Sequence, residues 1–172
     1  MAQPWPWPWQ WILCARNRLT DDLEKRFPED TFVKFNYLPV LRARLALNRG
    51  DPAKAIEWLR TNEPTELGYP SSAQFGLFGA LYPIYMRGEA YLQLHRSAEA
   101  VANFQKVLDH KGLVFNDPIG TLARLKLGQA FALPGGDSTK AKAAYQDFLT
   151  LWKTADDLPI LREAKAWYAT LP

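Results

Sequence analysis

Few side chains in this 172-residue chain have the types and spacing that site chemistry requires. His95 and His110 are the two histidines, and they stand far apart, with one distant cysteine, Cys14. A zinc site needs four such ligands in closely spaced pairs, so no metal site is assigned. His110 within Asp109-His110-Lys111 reads instead as a basic helix end that complements the helix dipole. Arg16 near Cys14 would lower the thiol pKa, but no base accompanies it, and a nucleophile needs an activating partner. Asp21-Asp22 and Asp156-Asp157 pair acids within one strand of sequence. A glycosidase needs its two carboxyl groups facing each other across a sugar ring, so these read as solvated helix-end residues. There is no Gly-rich phosphate loop and no His-Arg-Asp catalytic loop; His95-Arg96-Ser97 is a turn. The expectation is a protein without catalytic residues and without a cofactor.

Composition narrows the partner class. A net charge of +3 with no dense basic run argues against nucleic acid. A single cysteine allows no intrachain disulfide and fits a reducing, cytoplasmic setting. No apolar run approaches the roughly 20 residues that cross a bilayer. The run Pro4-Trp5-Pro6-Trp7-Pro8-Trp9-Gln10-Trp11 differs from the rest. Proline removes donors and restricts φ, so an extended form is expected and no helix start. No basic residues precede this run and prolines interrupt it, so it does not read as a secretory signal. Residues 1–17 are therefore set apart from a helical domain over 18–172. The indoles are expected to cover the exposed edge of the first helix. The competing readings are self-association and insertion at a lipid interface. The stretch carries no cation before Arg16, which disfavours the membrane.

From Arg18 onward the apolar residues recur at helical spacing. Leu19, Leu23 and Phe27 predict a helix over 18–27, ended by Pro28. A second helix is predicted from Phe32 to Asn48, with a kink at Pro39. Arg49-Gly50-Asp51-Pro52 reads as helix stop, cap and restart. Residues 61–75 are rich in turn formers. Helices are then predicted over 78–94, 98–110 with Ser97 as N-cap, 118–133, from Asp137 or Ser138 through Trp152, and from Pro159 to near Leu171. No segment alternates with the period of two that a half-buried strand needs.

The helices carry a repeated packing pattern. Its copies are Gly88, Tyr91, Ala100 and Phe104; then Gly128, Phe131, Ala141 and Tyr145; and, more weakly, Ala43, Ala55 and Leu59. Small residues permit close approach of two helices, so Gly88 is expected to meet Ala100, and Gly128 to meet Ala141. The aromatic residues are expected to fill the space between successive pairs. A helix hairpin of this kind cannot bury its apolar face alone, so several stack into a solenoid.

These residues resemble the tetratricopeptide repeat, with its Leu-Gly, Tyr, Ala and Phe signature, from about Thr31 to the C-terminus. The copies lie 40 to 45 residues apart, longer than the repeat's usual length of about 34. The resemblance implies an all-α solenoid of antiparallel helix pairs, with about three repeats and a C-terminal capping helix. It also implies a protein-interaction scaffold that takes a peptide or partner protein in its concave groove. The family's inward positions fall on Tyr37, Arg44, Asn48, Tyr82, Tyr85, Glu89, Gln93, Leu122, Leu125 and Gln129. The Lys and Asn set of the chaperone-binding carboxylate clamp is not among them. The runs Arg26-Phe27-Pro28-Glu29-Asp30-Thr31, Phe104 to His110 and Ala144 to Leu149 are also similar to the C-terminal repeat region of acidobacterial eukaryote-like serine/threonine kinases. That likeness implies a bacterial regulatory module. It also makes helix 18–27 the second half of a repeat whose first half is replaced by the Trp/Pro segment. The alternative function is self-assembly, with that segment docked on a neighbouring subunit.

Overall fold

The computed structural model describes residues 9–64, 66–68, 81–113, 117–155 and 158–171; for residues 9–16, 62 and 111 it describes the backbone alone. The described residues form eight α-helices and no strand: α1 (Trp9–Arg26), α2 (Leu38–Asn48), α3 (Pro52–Leu59), α4 (Tyr82–Gln93), α5 (Ser97–Asp109), α6 (Ile119–Phe131), α7 (Ser138–Leu151) and α8 (Pro159–Thr170). The expected all-α helical repeat architecture is the one observed.

Local chemistry explains most of the boundaries. Asp30 Oδ1 accepts the Val33 N–H at 2.9 Å and starts a π-helical turn, Val33–Tyr37, that runs directly into α2. The Leu38 N–H reaches back five residues to the Val33 carbonyl. Pro39 follows at once; it has no N–H to give and its ring crowds the turn before it, so the widened turn takes up the strain expected as a kink. At the end of α2, Gly50 adopts φ +74°, its N–H donates to the Leu47 carbonyl and the Asp51 N–H to the Ala46 carbonyl. This pair of bonds closes the helix, and the left-handed residue suits glycine. Asp51 then caps α3 through the Lys54 N–H at 3.0 Å, with Pro52 in the first turn. Asp137 caps α7 in the same way through Lys140.

Three expectations are corrected. The first helix begins at Trp9, not Arg18, so Trp9-Gln10-Trp11 is helical rather than extended. The last proline is Pro8, and from Trp9 onward every residue of α1 has an N–H to donate. Pro4 to Pro8 lie outside the described residues. Ser97 is not a cap: its Oγ donates to the Ala130 carbonyl at 2.7 Å, tying the start of α5 to the end of α6. The turn before it closes on His95 at φ 55°, with bonds from His95 and Arg96 back to Leu92 and Tyr91. The third correction concerns the crossings. A Cβ added at Gly88 would lie 2.7 Å from Phe104 Cε1, and one added at Gly128 would lie 3.1 Å from the Tyr145 ring. Each glycine is therefore a seat for the aromatic ring four residues past the small alanine, inside its own hairpin. The missing side chain leaves room for an edge or face of the ring at each glycine.

The helices pair as α2/α3, α4/α5 and α6/α7, and each pair packs on the next. One core runs from α2 to α6 and includes Ala43, Ala55, Leu59, Ile84, Ala100 and Phe104, all fully buried. A second, smaller core joins Leu125, Tyr145 and Phe148 to Leu161 and Ala164 of α8. A charged cluster lies beside the first core. Arg87 is buried and donates to Asn103 Oδ1 at 2.9 Å and Glu66 Oε2 at 2.6 Å. Lys106 pairs with the other oxygen of buried Glu66. A buried charge is tolerated only when paired, so this network pins the segment after α3 against α4 and α5. Among the described residues no helix is long and apolar enough to cross a membrane.

Candidate partner-binding face

The first helices of the three pairs, α2, α4 and α6, pack on one another, whereas the second helices α3, α5 and α7 have no comparable contact among themselves. Helices on the inside of a curved stack approach closely and those on the outside splay, so α2, α4 and α6 form the inner row.

A line of charge crosses this row. Arg44 of α2 donates from Nη2 to Glu89 Oε2 of α4 at 2.5 Å, and Lys126 Nζ of α6 lies 3.5 Å from Glu89 Oε1. The same Arg44 nitrogen lies 3.2 Å from Met86 Sδ. The Glu89 carboxylate is mostly covered while Arg44 remains half-exposed. The acid thus organises two cations from two neighbouring repeats, and the cations keep surface for a ligand. At the other end of the row, the Tyr82 hydroxyl donates to Asp117 Oδ1 at 3.2 Å. The same Asp117 oxygen accepts the Ile119 N–H at 2.9 Å at the start of α6. Burial first, then the Asp117 charge and hydrogen bond, push the Tyr82 hydroxyl pKa up. Burial and the Asp30 charge do the same to Tyr37. Both phenols stay neutral donors at physiological pH.

The ten expected positions fare differently. Arg44 and Glu89 are brought into direct contact, and Tyr82, Leu122 and Gln129 are partly exposed. Asn48 and Gln93 are exposed at the ends of α2 and α4. Tyr37 is half-buried in the π-helical turn, its ring 6.5 Å from that of Phe32. Tyr85 and Leu125 are corrected: both are buried. The Tyr85 ring packs edge-on against Phe104 at 5.5 Å, and burial followed by the Glu89 charge raises its pKa. Leu125 belongs to the second core. Both positions lie on the flank of their helix that meets a neighbour rather than on the open stripe.

Sequence reasoning missed Lys126, Met86 and Asp117. Lys126 lies two residues before Gly128, off the projected inward positions, and its partner Glu89 is remote in sequence. No local signal could have joined them. Asp117 precedes Pro118 at the start of α6, and nothing in its local sequence joins it to Tyr82. Among the described residues no group of His, Cys, Asp and Glu could hold a metal ion.

The tetratricopeptide repeat family matches residues 122–154. That stretch covers most of α6, the turn and α7, the hairpin in which Tyr145 sits on Gly128. The match supports a protein of tetratricopeptide type, and such repeats generally mediate protein–protein interaction and are generally not catalytic. Comparison with curated proteins and with solved structures gives no match.

Proposed function

We propose that this chain is a non-enzymatic scaffold that binds a peptide or partner protein along the inner row of α2, α4 and α6. The observation that carries the reading is the Arg44–Glu89–Lys126 line, which joins three repeats into one polar surface. Interaction surfaces favour arginine and tyrosine, which combine contact area with directed hydrogen bonds. Arg44, Tyr82 and Tyr37 are the anchors in this reading, with Asn48, Gln93 and Gln129 offering amides for backbone recognition of an extended chain. Leu122 supplies the apolar floor.

The likeness of the Arg26, Phe104 and Ala144 runs to the repeat region of bacterial eukaryote-like kinases extends the proposal. In that setting the module is cytoplasmic and brings a regulatory partner to a kinase or sensor. Selection from a displayed peptide library, followed by calorimetry, tests the groove. Bound peptides should lose at least about tenfold in affinity when Arg44→Ala or Gln93→Ala is introduced, with thermal unfolding unchanged. Peptides whose binding ignores both changes would place the ligand elsewhere.

A further inference from the structure

The N-terminal end of the stack has an open slot. In the inner repeats each first helix packs on the first helix of the next pair, α2 on α4 and α4 on α6. The second helix of each pair also packs on the next first helix, as α3 does on α4 and α5 on α6. α1 packs on α2 in that second role, and no described helix takes the first role beside it. In its place is a groove of about 560 Å³ lined by Leu19, Leu23, Phe27, Leu41, Leu45 and Arg44. Its walls are apolar and open: Leu19 is 68% exposed, Phe27 45% and Leu41 42%. The rim carries the Asp22–Arg26 ion pair at 3.5 Å.

We infer that this groove receives the Pro4–Pro8 run of a second copy of this chain, so that two copies exchange their tryptophans. Chain reach confines the same copy to the outer edge of the groove. Trp5 is four residues from Trp9, and a fully extended chain covers at most about 3.6 Å per residue, or about 14 Å in all. α1 rises about 1.5 Å per residue, which places Leu19 about 15 Å, Leu23 about 21 Å and Phe27 about 27 Å from Trp9 along the axis. Even fully extended and without a fold-back turn, Trp5 of the same chain comes only about level with Leu19, about 7 Å short of Leu23 and about 13 Å short of Phe27. Its indole touches the outer edge of the groove without filling it, and Trp7 falls shorter still. A neighbouring copy has no such limit.

The chemistry matches. Each indole offers roughly 150–250 Å² of mostly apolar surface, and its N–H needs one acceptor. Leu19, Leu23, Phe27 and Leu41 supply the apolar walls, Asp22 a carboxylate for the N–H, and Arg26 and Arg44 cations for the ring faces. Alternate prolines bring no backbone N–H into the groove, so docking strands few donors. The opposite end of the stack is a poorer occupant, because the exposed residues of α8 include Arg162, Glu163 and Lys165 around Trp167.

The inference does not rest on ligand binding by the inner row, and its test reads self-association instead. Sedimentation velocity of the full chain should show a reversible monomer–dimer equilibrium in the micromolar range. The double variant Trp5→Ser/Trp7→Ser removes the donor, and Leu19→Glu blocks the acceptor at a surface position. Each alone should weaken association at least about tenfold. Mixing the two variants should restore pairing, because one intact segment then meets one intact groove. A folding defect could not produce that complementation. A full chain that stays monomeric, a dimer indifferent to both variants, or a mixture that fails to pair would each overturn the exchange.

Discussion

At the C-terminal end, α8 lays Leu161 and Ala164 onto Tyr145 and Phe148 and turns Arg162, Glu163 and Lys165 to solvent. At the N-terminal end, Leu19 of α1 is largely uncovered and Phe27, just past α1, is about half-exposed beside α2. Among the described residues neither helix has a hairpin partner, yet they present different outer faces. The difference lies in what faces outward. A stacked repeat gives its neighbour an apolar face, and the terminal unit stays soluble only if its own outer face is polar. α8 comes nearer that condition, with Arg162, Glu163 and Lys165 outward beside Trp167 at 37% exposure, whereas Leu19 of α1 is 68% exposed. An open end is where further protein can add.

The largest test of this contrast is a pair of truncations. Phe148→Ala should lower unfolding stability by about 3–5 kcal/mol, since it empties the second core. Leu19→Ala should stay within about 0.5 kcal/mol, as expected for a surface site. Urea midpoints measured on the monomer check both, and a comparable loss at Leu19 would erase the contrast. The seams between the ends should be graded as well. Gly88→Ala forces a methyl against the rigid, fully buried Phe104 ring and should cost about 1–3 kcal/mol. Gly128→Ala meets Tyr145 at a longer distance, and its smaller overlap competes with the roughly 0.5–1 kcal/mol that alanine contributes to a helix. Gly128→Ala should therefore be the milder of the two, and reversal of that order would show that the rings are not seated as described. At neutral pH the smallest effect is at the Tyr145 hydroxyl, which tells only in alkali. Burial pushes the Tyr145 hydroxyl pKa up to about 12 from an ordinary 10.0. Its folded value exceeds the unfolded one, so the stability it contributes is full below 10 and is lost as pH rises through 12. Tyr145→Phe should flatten the alkaline limb of the stability profile without touching the rest. An unchanged limb would mean that the hydroxyl is solvated.

Much of this was readable from local chemistry. Gly50-Asp51-Pro52 and Asp137 declared their turns because the left-handed residue, the cap and the proline each act within a few residues. The residues of the packing pattern on α5 and α7, Ala100, Phe104, Ala141 and Tyr145, are all found inside. The inner face was legible only in part. Arg44 and Glu89 were both expected to face the groove, but not to bind each other, and Tyr85 and Leu125 turned out to belong to the interior. A helical position fixes a direction to within a fraction of a turn. Whether that direction meets solvent depends on how closely the next helix lies.

The order of the helices and most of their caps were thus set by the chain's own residues, because those effects act over one or two turns. The Glu89 bridge to Lys126, the Ser97 bond to Ala130, the buried Arg87–Glu66 pair and the open slot beside α1 were decided only when the pairs stacked. Each joins groups separated by many residues or depends on a neighbouring helix, and the distance between them is a property of packed helices rather than of sequence spacing.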